Sequence, residues 1–241
     1  MKYIASCSFG KDSLATIILA YLHNEPLDEV VYARVMFDST TSAEIPEHEA
    51  FIQNTAIPTL HRLGYKVNTV TADANFVDNC FFRKGCKGVN CGKYVGFPIP
   101  GRCDVQRDLK IKAIKRIEKM YPSNSVIQYL GIAVDEPVRL ERLKSNQISL
   151  LQKYGITEAG ATWICKYFGL LSPIYEFTKR GGCFFCPNAT LKELNHLKTH
   201  HPNLWQRLLD LSKVQNKASP RFNRDYTLEQ IDQLLATKEA N

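Results

Sequence analysis

Apolar residues along the chain fall into short runs whose period alternates between that of a strand and that of a helix. Lys2 to Cys7 is a brief apolar run of strand length, and Ser13 to His23 then places Leu14, Ile17, Ile18 and Tyr21 at helical spacing on one face. Val30 to Phe37 is too β-branched and too continuous for a surface helix, as expected of a parallel strand covered on both faces. A helix is predicted from about Glu47 to Leu63, closed by Gly64, and a third strand at Lys66 to Thr71. Strand, helix, strand, helix, strand is the doubly wound pattern of a Rossmann-like α/β domain with a mainly parallel sheet.

From Ala72 to Gly101 the pattern fails, and Gly85, Gly88, Gly92, Gly96, Pro98, Pro100 and Gly101 punctuate a stretch that also holds Cys80, Cys86 and Cys91. A loop of this length inside a domain is usually functional or held by something bound. Asp108 to Met120 reads as a basic helix and Ser125 to Ile132 as a fourth strand, with the sheet ending near there. Beyond residue 150 the character changes. Ile156 to Phe168, Leu191 to Leu211 (divided at Pro202) and Leu228 to Leu235 have helical spacing, and a tight loop, RGGCFFCPN, lies among them. The expected organisation is a nucleotide-type domain over residues 1–150 and a helical, cysteine-bearing subdomain over 151–241.

At 241 residues and 44% hydrophobic content the chain can bury a full core, which excludes a disordered segment or a bare peptide motif. There is no run of about 18 apolar residues, and the first residues are broken by Ser, Gly, Lys and Asp, so neither a membrane span nor a secretory signal is expected. Eight cysteines without such a signal point to a reducing, cytoplasmic setting, where cysteine groups more often ligate metals or do redox chemistry than form disulfides. The net charge of +7 is concentrated: residues 83–144 hold 14 basic and 6 acidic side chains, and the remainder is almost balanced. That stretch suits an anionic partner, a nucleotide phosphate or a nucleic-acid backbone, or else a solvated helix face.

The turn after the first strand is Ser8-Phe9-Gly10-Lys11-Asp12-Ser13. In an open parallel sheet this turn is the favoured phosphate site, because the amides at the following helix's N-terminus point at the anion. Ser8 and Ser13 offer hydroxyls, Gly10 lets the backbone curl close, Lys11 adds a cation, and Asp12 suits a Mg²⁺ partner or a helix cap. The loop fits neither GxxxxGK[ST] nor GxGxxG.

SFGKDS resembles the SGGxDS loop of the PP-loop ATP pyrophosphatases (adenine nucleotide alpha hydrolase-like), with Phe9 in place of one glycine, in the form seen in the phosphoadenylylsulfate (PAPS) reductase-like branch. FDSTTSAEIPEHEAF resembles that branch's acidic and Glu-Pro-Glu segment, through Asp38, Glu44, Pro46 and Glu47. GRCDVQRDLKIKAI is similar to its arginine, cysteine and Leu-Lys motif. GIAVDEPVRLERL is similar to its Gly-x-Arg-x-x-Glu-Ser-x-x-Arg segment, although Ala133 and Pro137 replace an arginine and a serine. The resemblance covers most of residues 1–145. It implies an enzyme that binds ATP with Mg²⁺ and cleaves at the α-phosphate, adenylating a substrate and releasing pyrophosphate, with sulfur transfer as the reaction served. Ser8, Phe9, Gly10, Lys11, Asp12, Ser13 and Gly131 would then contact the nucleotide, with Asp38 reaching the ribose or adenine edge. Arg102, Lys110 and Arg139 are the candidates for a second cationic group that works beside Lys11 and Asp12. The acceptor would be a nucleic acid or a sulfur-carrying protein. Sulfonucleotide (PAPS or APS) reductases use a cysteine near the C-terminus in a Glu-Cys-Gly context, whereas no cysteine follows Cys186 here, which argues against that alternative. A third reading is a nucleotide-regulated nucleic-acid-binding module with a structural metal.

Cys183-Phe-Phe-Cys186 has the spacing that lets two thiolates grip one metal from a tight turn. Cys165 and Cys103 are the candidates to complete a Cys₄ set, suited to Zn²⁺ or a [4Fe–4S] cluster. The PAPS reductase-like resemblance tilts that choice toward iron and sulfur. Cys80, Cys86 and Cys91 could instead bind a separate ion with Cys103, leaving His196, His200 or His201 to assist the C-terminal pair. A dithiol redox pair is the further alternative, poorly served by two phenylalanines. Trp163, Phe168, Tyr175, Phe184, Phe185 and Trp205 are read chiefly as core, with base stacking as the competing role.

Overall fold

A computed structural model describes residues 1–101 and 103–239, the last two of these in backbone only. The chain divides into two compact units that interleave along the sequence. The first unit comprises Met1–Arg34, Pro46–Ala72 and Lys110–Tyr175, and the second Val35–Ile45, Asp73–Leu109 and Glu176–Asn241. The expected boundary at residue 150 therefore falls inside the first unit.

The first unit is built on five parallel strands in the order β3-β2-β1-β4-β5: β1 Lys2–Ser6, β2 Glu29–Arg34, β3 Val67–Thr71, β4 Val126–Tyr129 and β5 Gln147–Ile148. The doubly wound α/β architecture is thus present, with the switch of direction between β1 and β4. Helix α1 (Lys11–Leu22) follows β1, and α2 covers 46–62. Then come α3 (Lys112–Glu118) and α4 (Glu158–Tyr167). Alternate strand residues serve opposite faces. Ala5, Val30, Tyr32 and Tyr129 pack with α1, α2 and α4, while Ile4, Val31 and Val126 pack with Ile114, Ile117 and Tyr121. Helix α1 is buried on nearly all sides from Leu14 to Ala20 because α4 lies against it, yet Tyr21, placed on its apolar face by periodicity, is 46% exposed.

Pro58 lies within α2, where it has no N–H and crowds the preceding turn. The helix accommodates this by a π segment at Ile52–Ala56, with Ile57 N–H reaching back five residues to the Ile52 carbonyl. Gly64, at φ +89°, ends it as expected. The ladder of β2 stops at Arg34, three residues before the predicted end. Val35 to Ile45 turns back on itself in the second unit, with Phe37 N–H on Thr41 O (2.7 Å) and Ala43 N–H on Val35 O (2.9 Å). The two-residue β5 is an addition to the expected sheet.

The second unit carries α5 (Leu191–His200), α6 (Pro202–Ser212) and α7 (Leu228–Glu239). Thr190 and Glu193 form a capping box at the start of α5, and Pro202 opens α6, so the predicted division of the long helix occurs there. Its core is aromatic: Phe37, Phe76, Phe81, Phe97, Phe184, Phe185 and Phe222 are all buried, with Phe76 stacked on Phe185 at 4.0 Å. Phe184, Phe185 and Trp205 are thus core residues, whereas Trp163 on α4 is 64% exposed. No helix among the described residues is long and apolar enough to cross a membrane.

Candidate functional site

The loop Ser8 to Ser13 leaves the carboxyl end of β1 beside the β1/β4 switch point, where open parallel sheets bind ligands. Its conformation explains its composition. Phe9 sits at φ +56°, a left-handed conformation that favours glycine, and glycine is what the resembling loop has there. The strain, about 1–3 kcal/mol, is offset by burial of the ring, which meets Tyr32 edge-on at 5.0 Å. Gly10 caps α1 in an extended conformation; a Cβ there would lie 3.2 Å from Tyr175 Oη and 3.5 Å from Ser8 Oγ. The Lys11 backbone N–H donates to Tyr175 Oη at 2.9 Å. Ser13 Oγ donates to the Gly10 carbonyl (2.9 Å) and accepts from Ser8 N–H (3.3 Å), which closes the turn. Gly131, after β4, lies against the first turn of α1. A Cβ on it would fall 2.6 Å from Asp12 C and Ser13 N, so the close approach of the two loops requires glycine.

The Lys11 side chain is almost wholly buried, and its ammonium lies 2.9 Å from Asp12 Oδ1 and 3.3 Å from Glu158 Oε1. Burial works against the charged amine, but the two carboxylates outweigh it and hold its pKa above the ordinary lysine value. Burial raises the pKa of Asp12; Glu158 and Glu136 add to the rise, against the pull of Lys11. Arg139 occupies the turn Pro137–Leu140 with Nη1 at 2.5 Å from Glu136 Oε1, and Glu136 Oε2 accepts from Ala133 N–H at 3.2 Å. Lys110 is half-buried in the π turn Gln106–Ile111, and Arg102 lies outside the described residues.

Three residues of this site escape sequence reasoning. Glu158 reads only as the first turn of a helix, and Tyr175 only as a core aromatic. His48 is buried, with Nδ1 2.9 Å from Ser172 Oγ and Nε2 3.2 Å from the Ser8 carbonyl. A carbonyl accepts only, so Nε2 carries a proton and donates to it. The ring thereby fixes the start of the loop.

Asp38 belongs to the second unit. Its Oδ1 accepts from Thr40 N–H (2.8 Å) and Thr41 N–H (2.7 Å), and its Oδ2 pairs with Arg207, whose guanidinium lies 4.7 Å from the Phe37 ring centroid. Both oxygens are thus committed to holding a turn.

Cys103, Cys183 and Cys186 lie in the second unit, and Cys165 in the first. Cys186 N–H donates to the Cys183 carbonyl at 2.9 Å, so the two thiols share one tight turn, with Arg180 Nη2 3.5 Å from Cys186 Sγ. The turn borders a shallow cleft to which Arg180, Gly182, Glu193 and His196 also contribute. Cys103 is half-buried, its sulfur accepting from Gln106 N–H at 3.5 Å. Among the described residues of this unit no three cysteine sulfurs lie within 4.8 Å of one another. Cys80 is buried, and burial pushes its thiol up to about 11, with Cys103 among the groups that add to the rise; Cys86 and Cys91 are exposed. Cys165 is fully buried in the core of the first unit, where its Sγ donates to the Lys11 carbonyl at 3.1 Å and burial pushes its pKa up to about 12. It is a protonated donor beneath the loop, which is the opposite of what a metal ligand supplies. Cys7 is likewise buried and pushed up to about 11 by burial, its sulfur accepting from Phe9 N–H at 3.3 Å.

No family model matches the chain, and no curated protein matches it. Among solved structures it is similar to the U34-tRNA thiolase NcsA from Methanococcus maripaludis with its [4Fe–4S] cluster, at 16% identity and a TM-score of 0.45, over 98% of this chain and 72% of that one.

Proposed function

We propose that the protein is a PP-loop enzyme that binds ATP and adenylates an acceptor, releasing pyrophosphate. The observation that carries this reading is the placement of SFGKDS at the carboxyl end of β1, at the switch point, opening a helix whose first amides have no intrahelical acceptor. The exposed Ser8 hydroxyl and the Asp12 and Ser13 amides are the proposed donors to the β- and γ-phosphates. Lys11 N–H already donates to Tyr175 Oη, so the phenol O–H extends that donor outward. An acceptor oxygen attacks the α-phosphorus, the bond to the α–β bridging oxygen breaks, and pyrophosphate leaves with the electron pair. Lys11 Nζ, held at the site by Asp12 and Glu158, offsets the charge that gathers on the leaving group. Arg139, Lys110 and Arg102 are the proposed source of a second cation. Asp12, with Glu158 and Glu136 near it, offers the carboxylate oxygens that Mg²⁺ takes, and the ion when bound neutralises phosphate charge.

In the second unit, Cys183 and Cys186 are proposed as two ligands of a [4Fe–4S] cluster or zinc ion, with Cys103 a third sulfur of the same unit. Their shared turn and bordering cleft support this. Such a centre would supply sulfur or redox chemistry if iron-based and bracing if zinc, and the resemblance of SFGKDS to the PAPS reductase-like loop is what supports sulfur transfer as the reaction class. Cys165 has the burial and hydrogen bonding of a core thiol. The test is pyrophosphate release from ATP with and without candidate acceptors. Lys11→Ala is expected to lower the rate by about 10²-fold. Release of orthophosphate alone, or no binding of adenine nucleotides in calorimetry, overturns the reading.

A further inference from the structure

The second unit carries a surface that the nucleotide site does not use. Residues 83–101 contain Arg83, Lys84, Lys87 and Lys93 and no acidic residue, and residues 213–224 contain Lys213, Lys217, Arg221 and Arg224 and again none. The fold joins these two stretches. Gly85 N–H donates to Lys93 O (2.8 Å) and Val95 N–H to Arg83 O (2.9 Å), which makes the first stretch a hairpin. Tyr94 N–H then donates to Asn216 O (2.9 Å) and Ala218 N–H to Tyr94 O (2.7 Å), which adds the second stretch as a parallel neighbour. Phe97 packs edge-on against Phe222 at 5.0 Å beneath them.

Some of the cations have structural work. Arg83 is paired with Asp104 and Asp108, Lys213 with Asp210, and the Lys217 ammonium turns inward to the Ser212 and Val214 carbonyls. Lys84, Lys87, Arg221 and Arg224 are exposed, Lys93 is half-exposed, and among the described residues none of the five forms an ion pair. Concentrating cations without carboxylates costs repulsion that an acid-interspersed surface avoids. Lys84 lies on the outgoing arm of the hairpin, Lys87 in its turn and Lys93 on the returning arm, with Arg221 and Arg224 at the far end of the added stretch, so the charges are spread along the ladder rather than gathered at a point. They are held on hydrogen-bonded backbone, with Tyr94 under Lys84 (5.9 Å from Nζ to the ring centroid) and Tyr226 40% exposed.

We propose that this ladder binds the backbone of a single-stranded nucleic acid. A spread of fixed cations matches a repeating phosphodiester, which a lone phosphate does not exploit, and exposed tyrosine gives an unpaired base a surface on which to stack. A lipid surface would call for a broad apolar face, whereas Val89 is the single large apolar side chain exposed on the hairpin between Lys84 and Tyr94. Strand binding by the ladder is independent of whether the Ser8–Ser13 loop binds ATP.

The test is fluorescence anisotropy with labelled DNA and RNA strands of about 20 nucleotides across a salt series, using the full chain. Binding is expected to weaken steeply with salt. The triple variant Lys84→Glu, Lys87→Glu, Lys93→Glu should bind at least about tenfold more weakly and flatten the salt slope by about 2, at near 0.7 for each phosphate no longer neutralised. The triple variant Lys112→Glu, Lys115→Glu, Lys119→Glu on and just after α3 removes the same charge from the first unit and should leave affinity within about twofold. Matching thermal melts confirm that both variants fold. The proposal is overturned if no strand binds at low salt, if both triple variants weaken binding equally, or if anionic phosphatidylserine vesicles bind the protein and displace the strand.

Discussion

At Asp12 the site works against the fold. Burial raises its pKa, so over the range from the ordinary carboxylate value upward the folded state holds more protons than the unfolded chain, and stability falls as pH rises through that range. Lys11 has the opposite sign. Its raised pKa contributes stability that is complete below the ordinary lysine value and is lost only as pH climbs above it. At neutral pH the Lys11 contribution is therefore intact while the Asp12 penalty is present. Asp12→Asn is expected to raise the melting temperature at pH 7 by about 2 °C, a shift worth under about 1 kcal/mol for a chain of this length. At pH 3, where Asp12 is protonated, the gain should vanish. A lower melting temperature at pH 7 would show that the Lys11 pair outweighs the burial cost. Pyrophosphate release should fall in the same variant, as expected where stability is given up for a charged site. The loop itself was legible because Ser, Gly, Lys and Asp are contiguous in it. Tyr175 and His48 were not: Tyr175 reaches Lys11 from 164 residues away, and His48 meets Ser172 from 124, so no local spacing reports either contact.

Among the elements, those with long, clean periodicity were legible and those set by tertiary contact were not. The helix over 46–62 and its closing Gly64 follow from spacing and turn chemistry. The early stop of β2 does not, because Val35 to Phe37 is as apolar as the strand before it and is claimed by the second unit's own turn. Two residues suffice for β5 at the sheet edge, too few to show a period. Gly131 is read from the resemblance as a nucleotide contact, and what the sequence does not report is the close fit of the β4 loop onto the first turn of α1, where a Cβ would meet the Asp12 and Ser13 backbone. Gly131→Ala should push these loops apart and cost about 1–3 kcal/mol, seen as a lower urea midpoint. Because the displaced atoms belong to Asp12 and Ser13, affinity for ATP should fall as well. An alanine variant with parental affinity would separate the β4 loop from the nucleotide site.

On the scale of the molecule, the chain passes from one unit to the other five times, and no linker of distinctive composition marks any crossing, which is why a division at residue 150 reads naturally from sequence and the actual grouping does not. The same grouping sorts the cysteines. Spacing alone cannot distinguish Cys165 from Cys103 as a partner for Cys183 and Cys186, since all are single thiols near glycine or aromatic residues. Burial does distinguish them. A thiol that is fully enclosed and donating to the Lys11 carbonyl must give up that bond and ionise in an apolar core before it can ligate, whereas Cys183 and Cys186 stand half-exposed on one turn. Metal analysis of anaerobically purified protein, with the visible spectrum, is expected to show iron or zinc in the parent and its loss from Cys183→Ser and Cys186→Ser. Cys165→Ala should keep the metal while its melt reports a cost of about 1 kcal/mol from the lost core thiol. If Cys165→Ala instead sheds the metal as fully as the C-terminal pair, the thiol beneath the loop is a ligand after all, and chelation should then weaken ATP binding by disturbing Lys11.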